Sequence, residues 1–182
     1  MVQDNVRRIR ERIAEACLRS NRHPDEITII GVTKGRIIAD INEAIEAGIT
    51  DIGENRVQEA LLKHNSPGLI SSRAIKWQMV GHLQANKARS AVKIFVLIQS
   101  VESIDLAIQI DKEAARINKI QDILIEVETS PEATKFGLNL DDTLEVIKEI
   151  SKLKNINIKG LMTIAPIVDI PESARPYFRI LK

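Results

Sequence analysis

The sequence predicts an α/β fold in which six strands alternate with helices. Short apolar runs recur six times, most of them containing Ile or Val, as in strands buried on both faces. Between them lie segments whose apolar residues are spaced three or four apart, as on one face of a helix. This alternation predicts a parallel sheet covered by helices through right-handed connections. An open doubly wound sheet and part of a (β/α)8 barrel both fit, although no G-x-G-x-x-G or P-loop motif supports a nucleotide-binding open sheet.

The predicted elements follow one another regularly from the N-terminus. The first segment predicts a helix with an apolar face formed by Val6, Ile9, Ile13, Ala16 and Cys17. Cys17 is therefore expected to be a small core residue rather than a reactive thiol. Strands are predicted at 27–34, 49–53, 76–80, 94–99, 122–128 and 156–163, and the helices between them at about 40–48, 54–63, 85–92, 103–117 and 141–153. A final helix begins in the last residues of the sequence.

Composition excludes several classes of protein. The 182 residues are 44% hydrophobic, enough to predict a folded core, and the net charge of +1 argues against a dedicated polyanion binder. No run of some 18 apolar residues exists, and one cysteine cannot form an internal disulfide, so a soluble cytoplasmic protein is expected. His23, His64 and His82 lie far apart without metal-ligand spacing, and no metal centre is expected.

Lys34 is the candidate for covalent chemistry. It ends the predicted strand 27–34, and the carboxyl ends of parallel strands are where such folds place their sites. Partial desolvation there would lower the pKa of the amine and raise the neutral fraction that a Schiff base requires. A lysine that only extends into solvent from a strand end remains the alternative at this stage. Polar residues also follow the other strands, and they converge on one face if all six strands are parallel.

Six ordered segments resemble the pyridoxal phosphate homeostasis proteins, which are single-domain relatives of the alanine racemase N-terminal barrel. The segments are Gly31–Lys34, Ile52–Glu59, Trp77–Lys87, Gln99–Ser103, Lys135–Leu138 and Lys159–Ile164. The most specific are G-E-N at 53–55 and G-H-L-Q-x-N-K at 81–87. The resemblance implies a TIM-barrel-like (β/α) fold of the alanine racemase N-terminal type, with pyridoxal 5'-phosphate (PLP) at the carboxyl ends of the strands.

The same resemblance implies the site residues. Lys34 would hold PLP as a Schiff base, Asn55 would lie beside the cofactor, and His82 and Met162 would line its surroundings. Physical chemistry agrees, since an amine on a rigid element meets an aldehyde in a fixed orientation. An amide such as Asn55 can donate or accept a hydrogen bond, and a thioether such as Met162 packs well against a ring. No catalytic residue is assigned.

The implied function is PLP binding in intracellular PLP homeostasis, without robust turnover and with PLP-dependent enzymes as potential partners. The enzymatic alternative is a racemase-like PLP protein that needs a partner chain. It is disfavoured because Tyr177 in the final segment and Cys17 in the first helix are not placed to abstract an α-proton. A third alternative is a nucleic-acid or protein adaptor that uses Lys87, Arg89 and Lys93. It is weak because the chain is nearly neutral and only 3% aromatic.

The resemblance also gives an expectation for domain organisation. Residues 1–182 are interpreted as a single PLP-binding (β/α) barrel domain, truncated after the sixth strand and lacking the last two strands. In the family those strands hold the cofactor phosphate and face the pyridine nitrogen. Weaker cofactor binding and unpaired strand edges are therefore expected of this chain.

Overall fold

A computed structural model describes residues 1–70, 75–130 and 136–182. Six strands alternate with α-helices in these residues, and every strand pairing given below is parallel, which confirms the predicted α/β class. The chain forms two compact units, one of Met1–Glu54 and Gln58–Trp77 and the other of Asn55–Val57 and Gln78–Lys182. Within the described parts of the chain, each helix is too short or too polar to span a bilayer.

The first unit contains a parallel strand pair with helices around it. Its elements are α1 (Val2–Ser20), β1 (Ile30–Val32), α2 (Ile38–Glu46), β2 (Asp51–Glu54) and α3 (Val57–His64) without its first residue. Ile30 of β1 lies opposite Asp51 of β2, and Val32 lies opposite Gly53. The buried apolar side chains are Val6, Cys17, Ile41, Ile49, Ile52, Ala60 and Trp77. Cys17 thus belongs to the core, as its spacing in α1 predicted.

The second unit contains the end of β3 (Lys76–Met79) and the rest of the chain. Its further elements are α4 (Ala88–Ile94), β4 (Leu97–Val101), α5 (Ile104–Ala115), β5 (Gln121–Glu126), α6 (Leu140–Ile150), β6 (Ile156–Met162) and α7 (Arg175–Leu181). The strands pair in chain order, β3 with β4, β4 with β5 and β5 with β6. Phe95, Ile98, Ile110, Ile123, Ile125 and Ile150 are fully buried here. Ser103 caps α5, since its hydroxyl accepts from the N–H of Leu106 at 3.2 Å.

Some predicted bounds of strands and helices, and some predictions of which side chains are buried, are wrong. The first strand spans only Ile30–Val32 rather than 27–34, because the N–H of Ile27 bonds to Pro24 in a 3₁₀ turn and a second turn starts at Thr33. Val32 is 48% exposed, and in the described residues β1 pairs with β2 alone. Helix α5 ends before Ile117, since Asn118 adopts a left-handed conformation with φ of 52°. Leu144 of α6 was predicted to be internal and is exposed.

Candidate functional site

Lys34 lies in a tight turn directly after β1. The turn spans Thr33 to Arg36 and is closed by a hydrogen bond from the N–H of Arg36 to the carbonyl of Thr33 at 3.0 Å. Gly35 has φ of 68°, the conformation that the third residue of a type II turn requires. The Lys34 side chain is exposed, and its amine has no hydrogen bond or ion pair with the described residues. The expected partial desolvation of this amine is therefore wrong, because the strand ends two residues before it.

Side chains of α3 hold the two peptide groups that flank Lys34. The carbonyl of Thr33, which precedes Lys34, accepts a hydrogen bond from the ammonium of Lys63. The N–H of Gly35, which follows Lys34, donates to Oε1 of Glu59 at 2.7 Å. Lys63 and Glu59 lie one helical turn apart and form an ion pair at 2.7 Å. The backbone on both sides of the exposed amine is thus fixed by one helix.

Glu54 completes this arrangement from β2. Its side chain is fully buried, and its Oε1 accepts from the Thr33 hydroxyl and from the Lys63 ammonium, the latter at 2.7 Å. The parallel register explains the contact with Thr33, because Val32 is opposite Gly53 and Thr33 donates its N–H to the Gly53 carbonyl. In the described residues, Oε2 of Glu54 has no hydrogen-bond partner. The glutamate of the G-E-N motif therefore has a structural role at the start of the Lys34 turn.

Lys63 is the residue of this site that the sequence analysis missed. Only 8% of it is exposed, although it is a lysine. Burial lowers the pKa of its ammonium, but the hydrogen bonds and negative charges of Glu54 and Glu59 outweigh burial and raise the pKa overall. Lys63 is therefore charged at neutral pH. One sequence signal could have found it, since Lys63 continues the stripe formed at three-residue spacing by the buried Val57 and Ala60.

In the second unit, Asn55 lies against the G-H-L motif. A Cβ atom added to Gly81 would be 2.7 Å from both Cα and the carbonyl oxygen of Asn55, so only glycine allows this approach of the two backbones. The buried Ser100 donates its hydroxyl to the carbonyl of Gly81 at 2.6 Å. The two motifs that are most specific in the sequence are therefore in direct contact through Asn55 and Gly81.

His82 is held by a carboxylate and by an aromatic ring. Its Nδ1 is 2.9 Å from Oε1 of Glu102, and its ring stacks on Phe136 with centroids 4.0 Å apart and planes at 16°. Glu126, at the end of β5, is almost fully buried. Burial, together with the negative charge of Glu102, raises the pKa of Glu126 to about 7. The loops after β3 and β4 and the end of β5 thus bring several titratable groups together.

Met162 is the last residue of β6 and is half-buried. Its carbonyl accepts from the N–H of Val127 at 2.9 Å, and the next residue, Thr163, bonds through its hydroxyl to that of Thr129 at 2.8 Å. Lys135 of the K-F-G-L segment lies outside the described residues. Of the four predicted cofactor-binding residues, Lys34 belongs to the first unit, whereas Asn55, His82 and Met162 belong to the second. Their roles remain predictions.

Known proteins resemble this chain along nearly its whole length. Residues 2–181 match the family model of the alanine racemase N-terminal domain. The pyridoxal phosphate homeostasis protein of Aquifex aeolicus is 36% identical over 179 residues, which are 98% of this chain and 77% of that protein.

Two solved structures agree with this. A protein from Bifidobacterium adolescentis superposes with a TM-score of 0.89 at 33% identity, covering 99% of this chain and 76% of that one. PipY of Synechococcus elongatus, solved with PLP bound, superposes with a TM-score of 0.71 at 35% identity, covering 93% of this chain and 81% of that one.

Proposed function

The chain belongs to the pyridoxal phosphate homeostasis proteins of the alanine racemase N-terminal family, and we propose that it binds PLP as a Schiff base on Lys34. The name of the Aquifex relative and the PLP bound to PipY support the choice of cofactor. The proposed role is to hold and release PLP in the cytoplasm, where PLP-dependent enzymes would be its partners.

One observation carries the proposal for Lys34. Its amine is exposed and unpaired among the described residues, while the peptide groups on both sides of it are hydrogen-bonded to α3. A primary amine suits an aldehyde ligand, because its nitrogen can add to the aldehyde carbon. A C=N bond then replaces C=O, one water molecule leaves, and the reaction is reversible. A backbone held in advance reduces the entropy lost when the two groups meet.

Three further residues are proposed to line the cofactor site. The amide of Asn55 can donate or accept a hydrogen bond. The ring of His82 is already oriented by Glu102 and Phe136, so it offers a fixed polar and aromatic surface. The thioether of Met162 offers apolar packing. The interpretation of residues 1–182 as a single PLP-binding domain is likewise a proposal.

We assign no catalytic residue to the chain. Abstraction of an α-proton needs an accessible base, whereas Cys17 is buried in α1 and Tyr177 is half-buried in α7. The relatives' name refers to homeostasis rather than to a reaction. The proposed function is therefore carriage of the cofactor without turnover.

Trapping of the adduct tests the binding proposal. The chain is incubated with PLP, reduced with borohydride, digested and analysed by mass spectrometry, and pyridoxyl label is expected on Lys34. The variant Lys34→Arg keeps the positive charge but removes the primary amine, so it is expected to lose the label. Lys93→Arg changes an exposed lysine of α4 in the same way and is expected to retain it. Equal labelling of the wild type and Lys34→Arg would refute the assignment.

Turnover is tested separately with L-alanine. The PLP-loaded wild type is expected to form D-alanine no faster than PLP alone in the same buffer. Racemisation that exceeds this background and disappears in Lys34→Arg would replace the carrier function by the racemase-like alternative.

A further inference from the structure

Lys63 uses its whole hydrogen-bonding capacity beneath the Lys34 turn. An ammonium has three N–H donors, and those of Lys63 go to the carbonyl of Thr33 and to the carboxylates of Glu54 and Glu59. The two carboxylates also bond the turn directly, Glu54 at the Thr33 hydroxyl and Glu59 at the Gly35 amide. Lys63 therefore joins the two carboxylates, one from β2 and one from α3, that bond this turn.

We propose that Lys63 is a positioning residue, which fixes the peptide groups around Lys34 so that the Lys34 amine points toward the PLP aldehyde. This inference rests on the proposed function. The four-carbon stem of Lys34 is flexible, and its amine has no partner among the described residues, so the direction of the side chain is set mainly where it leaves the backbone. Without the Lys63 donor, the carbonyl of Thr33 loses its bond to α3 and keeps only its bond from the Arg36 N–H, so the peptide plane before Lys34 is held less firmly.

Lys63 cannot replace Lys34 as the reactive amine in this arrangement. It is buried, and its three donors are occupied by oxygen atoms of the protein. The chain thus has two lysines with opposite surroundings at one turn. The exposed one is free to react, and the buried one holds the turn.

The first test needs no cofactor. In Lys63→Met, hydrogen exchange of the Gly35 and Arg36 amides is expected to be about tenfold faster than in the wild type. Because this change leaves the buried Glu54 carboxylate without its cation, the double variant Lys63→Met/Glu54→Gln is measured beside it. Lys112→Met replaces an exposed lysine of α5 and should leave these amides unchanged. Glu59→Gln keeps an acceptor for the Gly35 amide and is expected to stay within about twofold of the wild type.

The second test separates positioning from simple access. The initial rate of borohydride-trapped PLP labelling at Lys34 is expected to fall about tenfold in both Lys63 variants. Labelling of Lys34 by trinitrobenzenesulfonate, which attacks any accessible amine, is expected to change less than about twofold. A merely structural role of Lys63 would alter both reactions together.

The outcomes are distinguishable. If the wild type shows no PLP label at Lys34, the proposed function fails, and the exchange measurement alone then decides whether Lys63 holds the turn. Unchanged exchange in both Lys63 variants, with cooperative melting retained, would overturn the inference. Equal losses with PLP and with trinitrobenzenesulfonate would also overturn it, as would PLP label on Lys63 itself.

Discussion

The Lys34 turn of the first unit and the contact between Asn55 and Gly81 in the second unit are both backbone segments held in fixed positions, but by different forces. At the Lys34 turn, the buried Lys63 ammonium and the Glu59 carboxylate form hydrogen bonds with the backbone. The Glu54 carboxylate accepts from the Lys63 ammonium and from the Thr33 hydroxyl. At Asn55, two backbones touch directly because Gly81 has no side chain, and a neutral hydroxyl completes the contact. The comparison indicates that removal of a charged group should destabilise the Lys34 turn most, whereas an added side-chain atom should destabilise the contact between Asn55 and Gly81 most.

The largest effect is expected from Glu54→Leu, which breaks the charged arrangement. Removal of one partner of a buried ion pair leaves the other poorly compensated, and we expect the free energy of unfolding to fall by about 3 kcal/mol in urea titrations. The raised pKa of Lys63 means that the stabilisation is complete below the ordinary lysine pKa and is lost only as the pH rises through the higher value. The fall in the free energy of unfolding caused by Glu54→Leu should therefore be the same at pH 7 and pH 9. Glu59→Gln, at the more exposed pair, is the control and should cost less than about 1 kcal/mol. A loss below 1 kcal/mol for Glu54→Leu would contradict the comparison.

Gly81→Ala tests the close contact in the second unit. The added methyl group would meet the backbone of Asn55 at 2.7 Å, and overpacking of this kind is expected to cost about 2 kcal/mol. Chemical denaturation measures the loss of stability, and Gly35→Ala is the contrast. Among the described residues, apart from its two chain neighbours, no atom lies within 4 Å of the Cβ position at Gly35, so any cost there comes from its φ of 68°. Stability of Gly81→Ala equal to that of the wild type would show that the two backbones can separate at little cost.

Glu126→Gln tests whether the charge of a buried carboxylate also affects the stability of the second unit. The pKa of Glu126 is raised from 4.5 to about 7, so the folded chain binds its proton more tightly than the unfolded chain does. Stability is therefore complete below pH 4.5 and falls as the pH rises to about 7. At pH 8 the variant is expected to be more stable than the wild type by about 2 kcal/mol, whereas at pH 4.5 the two should be alike. A difference that does not depend on pH would contradict the assigned cause.

Ser100→Ala is expected to give the smallest change. It removes the hydroxyl that bonds the Gly81 carbonyl at 2.6 Å, and a neutral hydrogen bond of this kind contributes about 1 kcal/mol. Thermal melts at one pH are sufficient to detect this. A loss as large as that of Glu54→Leu would mean that hydrogen bonding, rather than close packing, dominates at Asn55.

Much of the fold could be predicted because its signals are local. Short apolar runs marked all six strands, and the spacing in α1 placed Cys17 in the core. The cap at Ser103 was also confirmed. The bounds of β1 were less predictable, since the apolar residues begin at Ile27, whose N–H closes a 3₁₀ turn, and the strand stops at Val32, before the turn that starts at Thr33.

The side chains that hold the candidate site residues in place could not be predicted, because their roles depend on contacts between residues far apart in the sequence. Lys63 meets Thr33 only because α3 packs beside β1 and β2 pairs with β1 in one register. The stack of His82 on Phe136 likewise joins residues from separate loops. Local patterns indicate which residues bear reactive groups, whereas the tertiary structure decides which residues orient them.

The exposure of Lys34 has a consequence for selectivity. An amine that water reaches freely is equally open to every small carbonyl compound in the surrounding solution, since Schiff-base formation by itself does not distinguish one aldehyde from another. Discrimination in favour of a particular vitamer must then reside in the groups that contact its ring and its phosphate, and the lysine contributes only the bond.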